Sequence, residues 1–526
     1  MAQWNRQSQS YLHDNTTLFE ASLAVDEYGN PIKAQSASSV SAFGEGVSVP
    51  ISPVFQLDGL YGLDNRLFDT NELNGGVVES TGTLMKCSSG VNLNALAQIN
   101  SKRSVRYRPG QGAMARFTSQ FTAGVDGYTQ RSGFISEEQA VQIGYDGENY
   151  GILLQNGGKA HIETFDIWSA ATSNGDIIIT LDGVNYPIAL VNGDSISTVV
   201  SKIKDGIVST DWSIEYNATT VSILANEVGP KSGAFAFSDT GSTSVTSTNT
   251  TVQLGMPHIE NWVYQQDFNL DTLDGTGFSG AVIDPTKLNV YQINFRWLGA
   301  GEIRFAFENP SNGDIINFHE IRYTNRHNDV HLDNPSLKIG HVVKSIGGAG
   351  TDVSVSGASM MGAIEGLIKT TKLPTAVGVS YDPNPNSLAD DYHHILTLHN
   401  RLIFNDKINT REFLLKNINA AFKTNPIGVP VLVYVYSNFE GLPLLEYDAQ
   451  EEDKSSIYHS TTEAIVTTEI DDNLPIYIFE VPGGGSSQIN LEDLRIAIPP
   501  NNSVSFVATS TEKLAAVSLS AIWIED

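Results

Sequence analysis

At 526 residues the chain is long enough for about two to four domains, each able to bury its own core. Its 59 acidic against 31 basic side chains give a formal net charge of −28, which argues against a nucleic-acid or anionic-membrane partner, since both need clustered Lys and Arg. The single cysteine, Cys87, excludes intrachain disulfides, so stability must come from packing or assembly. A charged fraction of 17% is low, while Ser, Thr, Asn and Gly abound, the profile of a β-rich protein with polar turns and strand faces. The first residues lack a basic segment followed by an apolar core, so no signal peptide is expected, and no apolar run reaches the length of a membrane span. Synthesis in a cytoplasm is therefore expected.

In chain order, residues 1–60 read as an N-terminal extended arm. Turn signals such as Tyr28-Gly29-Asn30-Pro31 and a Ser/Ala-rich stretch from Gln35 to Ser41 separate short apolar pieces, Leu18-Phe19 and Val54-Phe55. Residues 61–161 carry strand-like runs at Ser104 to Tyr107, Ala113 to Phe121, Gln139 to Tyr145 and Tyr150 to Leu154, with an Asp146-Gly147 hairpin turn between the last two. These strands need a covering sheet. Residues 255–370 can supply it, through Trp262 to Phe268, Ala281 to Ile283 and a β-meander from Asn289 to Tyr323, giving a jelly-roll sandwich of the concanavalin type. In the meander Tyr291, Ile293, Phe295 and Trp297 alternate with polar residues, and Ile303, Phe305 and Phe307 resume the pattern after Gly299-Ala300-Gly301. A three-residue loop there predicts Trp297 opposite Ile303 and Phe295 opposite Phe305. Asn312-Gly313 is a second turn, and Ile315 to Arg322 a third strand.

Residues 162–254 have another character. A hairpin (Ile177 to Leu181, Asp182-Gly183, Tyr186 to Leu190) precedes a helix capped by Asp194 or Ser195, with Ile196, Val199, Val200, Ile203 and Ile207 along one stripe. Strands Ser213 to Tyr216 and Val221 to Ala225 follow, and then a Ser/Thr-rich linker from Ser238 to Thr251. This is an α+β module inserted into the sandwich. Beyond it, His331 to Pro335 reads as loop and Leu337 to Ser345 as strand. Residues 371–526 read as a second, C-terminal β-sandwich, with runs at Ile395 to Phe404, Phe413 to Phe422, Val429 to Tyr436, Ile465 to Glu469, Ile476 to Val481, Ser503 to Thr509 and Ala515 to Ile524. Asp448 to Ser456 and Pro482 to Ser487 are expected as loops. The fold class is thus mainly β.

Residues able to do chemistry are few. His393, His394 and His399 follow Asp390 and Asp391, but on a strand His393 and His399 share a face roughly 20 Å apart and His394 points the other way, so no common ion is expected. Asp267, Asn269, Asp271 and Asp274-Gly275 have calcium-loop character, yet Thr272 and Phe278 stand where such a loop needs Gly and Glu. Asp471-Asp472-Asn473 reads as a solvated turn. No nucleophile elbow, phosphate loop or zinc pattern occurs, and Cys87 reads as a small buried residue. Arg296 and Arg304 would oppose each other in the expected register, with Glu302, Glu308 or Glu320, or an acidic neighbouring chain, as partners. No catalytic, cofactor-binding or metal residues are assigned. Trp168, Trp212 and Trp262 are the aromatic side chains that could stack on sugars, against core or interface packing as the alternative.

Several stretches together resemble a family of virion structural proteins from tailed phages, seen especially in aquatic phages. They are Trp4-Asn5-Arg6 with Thr17-Leu18-Phe19-Glu20; Arg108-Pro109-Gly110, Arg116-Phe117, Gly133 and Gly144-Tyr145-Asp146-Gly147 through Tyr150-Gly151; and Asp271 through Gly280 with Leu298-Gly299-Ala300-Gly301-Glu302-Ile303. The insert, with Thr180-Leu181-Asp182-Gly183 before a capped helix, is similar to small β-α-β modules of phage tail proteins, and Ala521-Ile522-Trp523-Ile524-Glu525 fits the family's ending. The resemblance implies a non-enzymatic virion component of the tail, baseplate or fibre apparatus, made in the host cytoplasm. It would assemble with copies of itself, as a homotrimer or ring, and with other virion proteins, with neither nucleic acid nor membrane insertion. A lectin-like role in recognising a host surface glycan is the alternative, and a polysaccharide-degrading enzyme the third reading.

Overall fold

The computed structural model describes residues 7–13, 17–23, 50–367, 373–381, 391–422, 429–439, 442, 445, 447–449, 455–462, 464–466, 474–494, 496–511 and 516–525. The turn at Tyr28 to Pro31, the Gln35 to Ser41 stretch, Asp390 and the turn at Asp471 to Asn473 lie outside these residues. The chain divides into two compact units, one of Met1–Ser52 with Glu365–Leu367 and the other of Pro53–Ile364 with Ile368–Asp526. In the first, Gln7–His13 and Thr17–Leu23 form an antiparallel hairpin, so this part of the expected arm is paired, not singly extended. Ser52 Oγ there donates to Gly366 O at 2.6 Å.

The second unit is nearly all β. Its first sandwich packs a seven-stranded sheet, in the order Ile259–Tyr264, Asn149–Asn156, Ala140–Asp146, Tyr128–Ile135, Lys338–Ser345, Leu96–Ser101, Phe68–Leu73, on a nine-stranded one. The latter runs Ile315–Ile321, Ile303–Glu308, Asn289–Phe295, Gly112–Phe121, Ser354–Gly357, Leu84–Ser88, Val77–Thr81, with residues 53–58 of the strand Ile51–Asp58 and 359–364 of the strand Ser359–Glu365 off this path. Alternating apolar residues of both inner faces interlock between the sheets, as in the edge-to-face pair Phe134 and Phe295 at 5.1 Å and the Tyr150 hydroxyl donating to that of Tyr291 at 3.1 Å. Phe55 and Leu57, expected within the arm, are buried in this core.

The halves interleave in a way local pattern does not carry. Gly112–Phe121 pairs with the meander strand Asn289–Phe295, whereas Ile259–Tyr264 pairs with Asn149–Asn156 in the opposite sheet. Trp262 to Phe268 is therefore not a strand of the covering sheet; it ends in a 3₁₀ turn at Gln265–Asp267. Ala281 to Ile283 is a loop held by Ile283 N–H donating to Leu273 O at 2.9 Å, and Ser104 to Tyr107 makes only an isolated bridge, Val105 with Leu337. The meander buries Tyr291, Ile293, Phe295, Ile303, Phe305 and Phe307 as expected, but its register differs: Phe295 faces Ile303 and Ile293 faces Phe305. Trp297 leaves the strand because its indole N–H finds an acceptor at Leu332 O, 2.8 Å away, and its ring an edge contact with Tyr107. The loop turns through Leu298 and Gly299, both at positive φ. Arg304 then faces Asn294 and not Arg296, while Glu302 pairs with both arginines and Glu320 with Arg304 and Arg322.

The insert contains the expected hairpin and a helix over Ile196–Gly206, whose N-cap Ser195 accepts from Thr198 N–H at 3.2 Å. The stretch read as a linker holds two strands instead. Ala236–Asp239 pairs with Gly175–Leu181 and Ser247–Gln253 with Ala160–Ile167, since Thr-rich polar runs suit a strand with one wet face. The C-terminal sandwich stacks a sheet in the order Thr375–Tyr381, Val517–Glu525, Phe413–Phe422, Ser486–Asn490 on one centred on Tyr392–Asn400, Ser503–Thr509, Val431–Ser437 and Tyr477–Val481. Trp523, Phe413 and Phe506 lie in its core. Ser486–Asn490 extends into the segment read as a loop. Among the described residues no helix is long and apolar enough to cross a membrane.

Candidate functional site: a polar groove on an outer sheet face

The residues singled out in the sequence do not converge. His393 Nδ1 is 2.9 Å from the Tyr381 hydroxyl in the C-terminal core, and His394 lies 2.7 Å from Thr462 O and 2.8 Å from Thr397 Oγ1. The register shifts between His394 and Leu396, and Ile395 and Leu396 both enter the core. This bulge adds one residue, so it is His394, and not His393, that shares a face with His399. Burial holds the His399 imidazole down at about 4. In the acidic loop Asp271 accepts from the N–H groups of Leu273 and Ser279 at 2.9 Å each, and Asp274 Oδ1 accepts from Thr272 and Thr276. Those carboxylates brace their own loop. Cys87 is fully buried, which pushes its thiol pKa up. Among the described residues no three His, Cys, Asp or Glu side chains gather as a metal set.

The tryptophans are equally dispersed. Trp212 is buried in the insert core, edge-on to Phe235; Trp168 is 63% exposed, with its indole N–H on Thr248 Oγ1; Trp262 lies parallel to Tyr264 on the edge strand of the seven-stranded sheet.

What the fold does assemble is a groove of 590 Å³ over the outer face of that sheet. Ile339 and Val343 point into the core, as do Ala97 and Ile99, so Lys338, Gly340, Val342 and Lys344 face outward beside Gln98 and Asn100. Gly340 stands opposite Asn100 on one side and Gly133 on the other, and Val342 opposite Gln98 and Arg131. The walls are Ser213 and Leu224 to Val228 of the insert, and Leu402, Ile408 to Thr410 and Pro499 to Asn502 of the C-terminal sandwich. A Cβ on Gly340 would come within 2.2 Å of Asn100 Oδ1, so glycine is what lets the amide lie across the floor.

The groove's charges cancel. Lys102, Arg131, Lys338 and Lys344 balance Asp69, Glu137, Glu227 and Glu260, four against four, in a chain whose net charge is −28. Lys338 reaches Asp69 at 3.0 Å, Lys102 the same carboxylate at 3.8 Å, and Arg131 reaches Glu260 at 3.9 Å and Gln155 Oε1 at 2.9 Å. Two buried polar atoms of the lining have no partner, Asn100 Oδ1 and Arg131 Nε. Sequence reasoning missed this site because Leu96–Ser101 and Tyr128–Ile135 went unrecognised as strands. The alternation of Ala97 and Ile99 with Gln98 and Asn100 was the available signal.

The insert is clasped to the C-terminal sandwich beside the groove. Glu215 Oε2 accepts from Ile403 N–H at 2.9 Å and Leu402 N–H at 3.1 Å, and its Oε1 lies 3.6 Å from Arg401, whose guanidinium stacks on Tyr458. Burial pushes the Glu215 carboxyl up to about 7, against the opposing pull of Arg401 and the two N–H groups. Ala160, Ile162 and Leu224 pack with Ile403 under the clasp.

No family model matches the sequence, and no curated protein matches it. Among solved structures the chain is similar to the metal-free carbohydrate recognition domain of Emp46p, at 10% identity and TM-score 0.21 over 59% of this chain and 97% of that one. It is similar also to a legume lectin-like domain from Entamoeba histolytica, at 10% identity and TM-score 0.21 over 57% and 91%. A third likeness is the triple jelly roll protein of an archaeal virus turret, at 8% identity and TM-score 0.14 over 92% and 97%. At these scores they assign neither ligand nor role to this chain.

Proposed function

We propose that the chain is a non-enzymatic structural component of a phage virion, in the tail, baseplate or fibre apparatus, that acts by assembling with copies of itself. The observation that supports this reading is the outer face of the C-terminal sheet built on Thr375–Tyr381. Ser380, Ser518, Ala421 and Ser486 form one rank across four of its five strands, Gly378, Ser520, Asn419 and Gln488 the next, and Ala376, Ile522, Asn417 and Asn490 a third. All are exposed or half-buried, and none is charged. Copies of a chain with a net charge of −28 repel one another, and a surface free of charge keeps that repulsion low where they meet; this shallowly hollowed face of small polar residues offers such a surface. The sequence resemblance to virion proteins points the same way.

The test is sedimentation of the purified chain at micromolar concentration. An oligomer is expected, and Ser520→Glu, which places a repelling charge at the centre of the face, is expected to dissociate it while shifting stability by no more than about 0.5 kcal/mol. A stable monomer, or an oligomer indifferent to the substitution, would remove the support. A second reading, recognition of a host surface glycan, is favoured by one feature only, the polar groove.

A further inference from the structure

We propose that the groove on the outer face of the seven-stranded sheet is a binding site for a neutral, polyhydroxylated ligand, a short segment of uncharged glycan. The inference rests on the second reading above and narrows it to one place and one chemical class. Its volume of 590 Å³ falls within the roughly 300–1,000 Å³ typical of ligand sites.

Three features select the ligand. Asn100 is 9% exposed and its Oδ1 is an acceptor without a donor, while Arg131 Nε is a buried donor without an acceptor. Each unmet group costs about 1–3 kcal/mol, and a hydroxyl, which both donates and accepts, satisfies either one once its side chain, covered in the empty groove, turns that atom toward the ligand. The two side chains rise from strands on either side of Lys338–Ser345, roughly 10 Å apart across the sheet, and both line the groove, so one extended ligand carrying several hydroxyls spans the two positions. The charges of the lining sum to zero and Asp69 already holds two of its lysines, which leaves an anionic ligand no cluster of free cations and exposes it to the repulsion of an acidic protein. Binding by hydrogen bonds to an amide-lined floor requires no aromatic platform, which agrees with the dispersal of the three tryptophans.

The experiment is titration calorimetry of the full chain, with and without calcium, against a panel of neutral oligosaccharides and of carboxylated and sulfated ones, preceded by a glycan array. Neutral glycans are expected to bind. Asn100→Ala is expected to weaken them by roughly tenfold to hundredfold, and Asn71→Trp, which fills the exposed rim of the groove without touching the core, to abolish binding with the unfolding midpoint unchanged. Preferential binding of acidic glycans, or binding of neutral ones that survives Asn71→Trp and falls with Trp168→Ala, overturns the assignment to this groove while leaving glycan recognition standing. No binding to any glycan in either condition overturns both.

Discussion

At the scale of single residues, the interior holds ionisable groups whose neutral form it requires. His341 is fully buried between the sheets of the first sandwich, with Nδ1 2.7 Å from Ser132 Oγ and Nε2 unpartnered, and burial alone holds its imidazole down at about 4. A folded-state value below the ordinary 6.5 means that its contribution to stability is complete above pH 6.5 and is lost as the pH falls toward 4. Urea unfolding at stepped pH is therefore expected to show a loss of about 3 kcal/mol from this group over that window. His341→Gln is expected to be flatter; a variant with the wild-type slope would exclude the histidine as its source. His319 and His331, each also near 4, add in the same direction and remain in both proteins, so the difference isolates His341. Residue types at this scale were legible in the sequence, but their environments were not. Nothing around His341 in the chain announces that Gly357 leaves space for it, with a Cβ there falling 2.5 Å from its Nε2.

At the scale of elements, pairing was legible where turn and strand are adjacent in the chain and illegible where they are distant. The Asp146-Gly147 hairpin and the capped helix of the insert form where their residues place them. The meander register instead followed Trp297 to Leu332, a partner thirty-five residues on, and the histidine faces followed a bulge without a local signature. The clasp of insert strand Trp212–Tyr216 on Leu402-Ile403 is likewise non-local, and it carries the opposite pH sign to the histidines. Because Glu215 is raised to about 7 from an ordinary 4.5, its contribution is complete below pH 4.5 and is lost as the pH rises through 7. Differential scanning calorimetry from pH 5 to 8 is expected to show the wild type losing stability relative to Glu215→Gln as the pH rises. Parallel curves would mean that the carboxylate enters the clasp already ionised.

At the scale of the whole molecule, the insert joins the sandwich through a narrow neck, where Lys159 and Met256 exchange N–H···O bonds of 3.0 and 2.9 Å. The cores of insert and sandwich have no residue in common. Excising residues 160–255 and closing Lys159 to Met256 with a short Gly/Ser link is expected to leave a cooperatively unfolding protein with a lower midpoint, since Leu402, Ile403 and Ile408 lose their cover. Loss of any cooperative transition would show instead that the sandwich depends on the insert to fold. By itself the sequence determined the β class, the buried faces of the meander, the inserted helix and the presence of a second sandwich, because period-two alternation, turn glycines and capping side chains act within a few residues of one another. Only the tertiary structure decided which strands share a sheet, which polar residues meet on its outer face, and that a charge-balanced groove and an uncharged face exist on an acidic chain. Those depend on hydrogen bonds between edges far apart in the chain, for which a strand's own residues encode a preference for a face but not the identity of its neighbour.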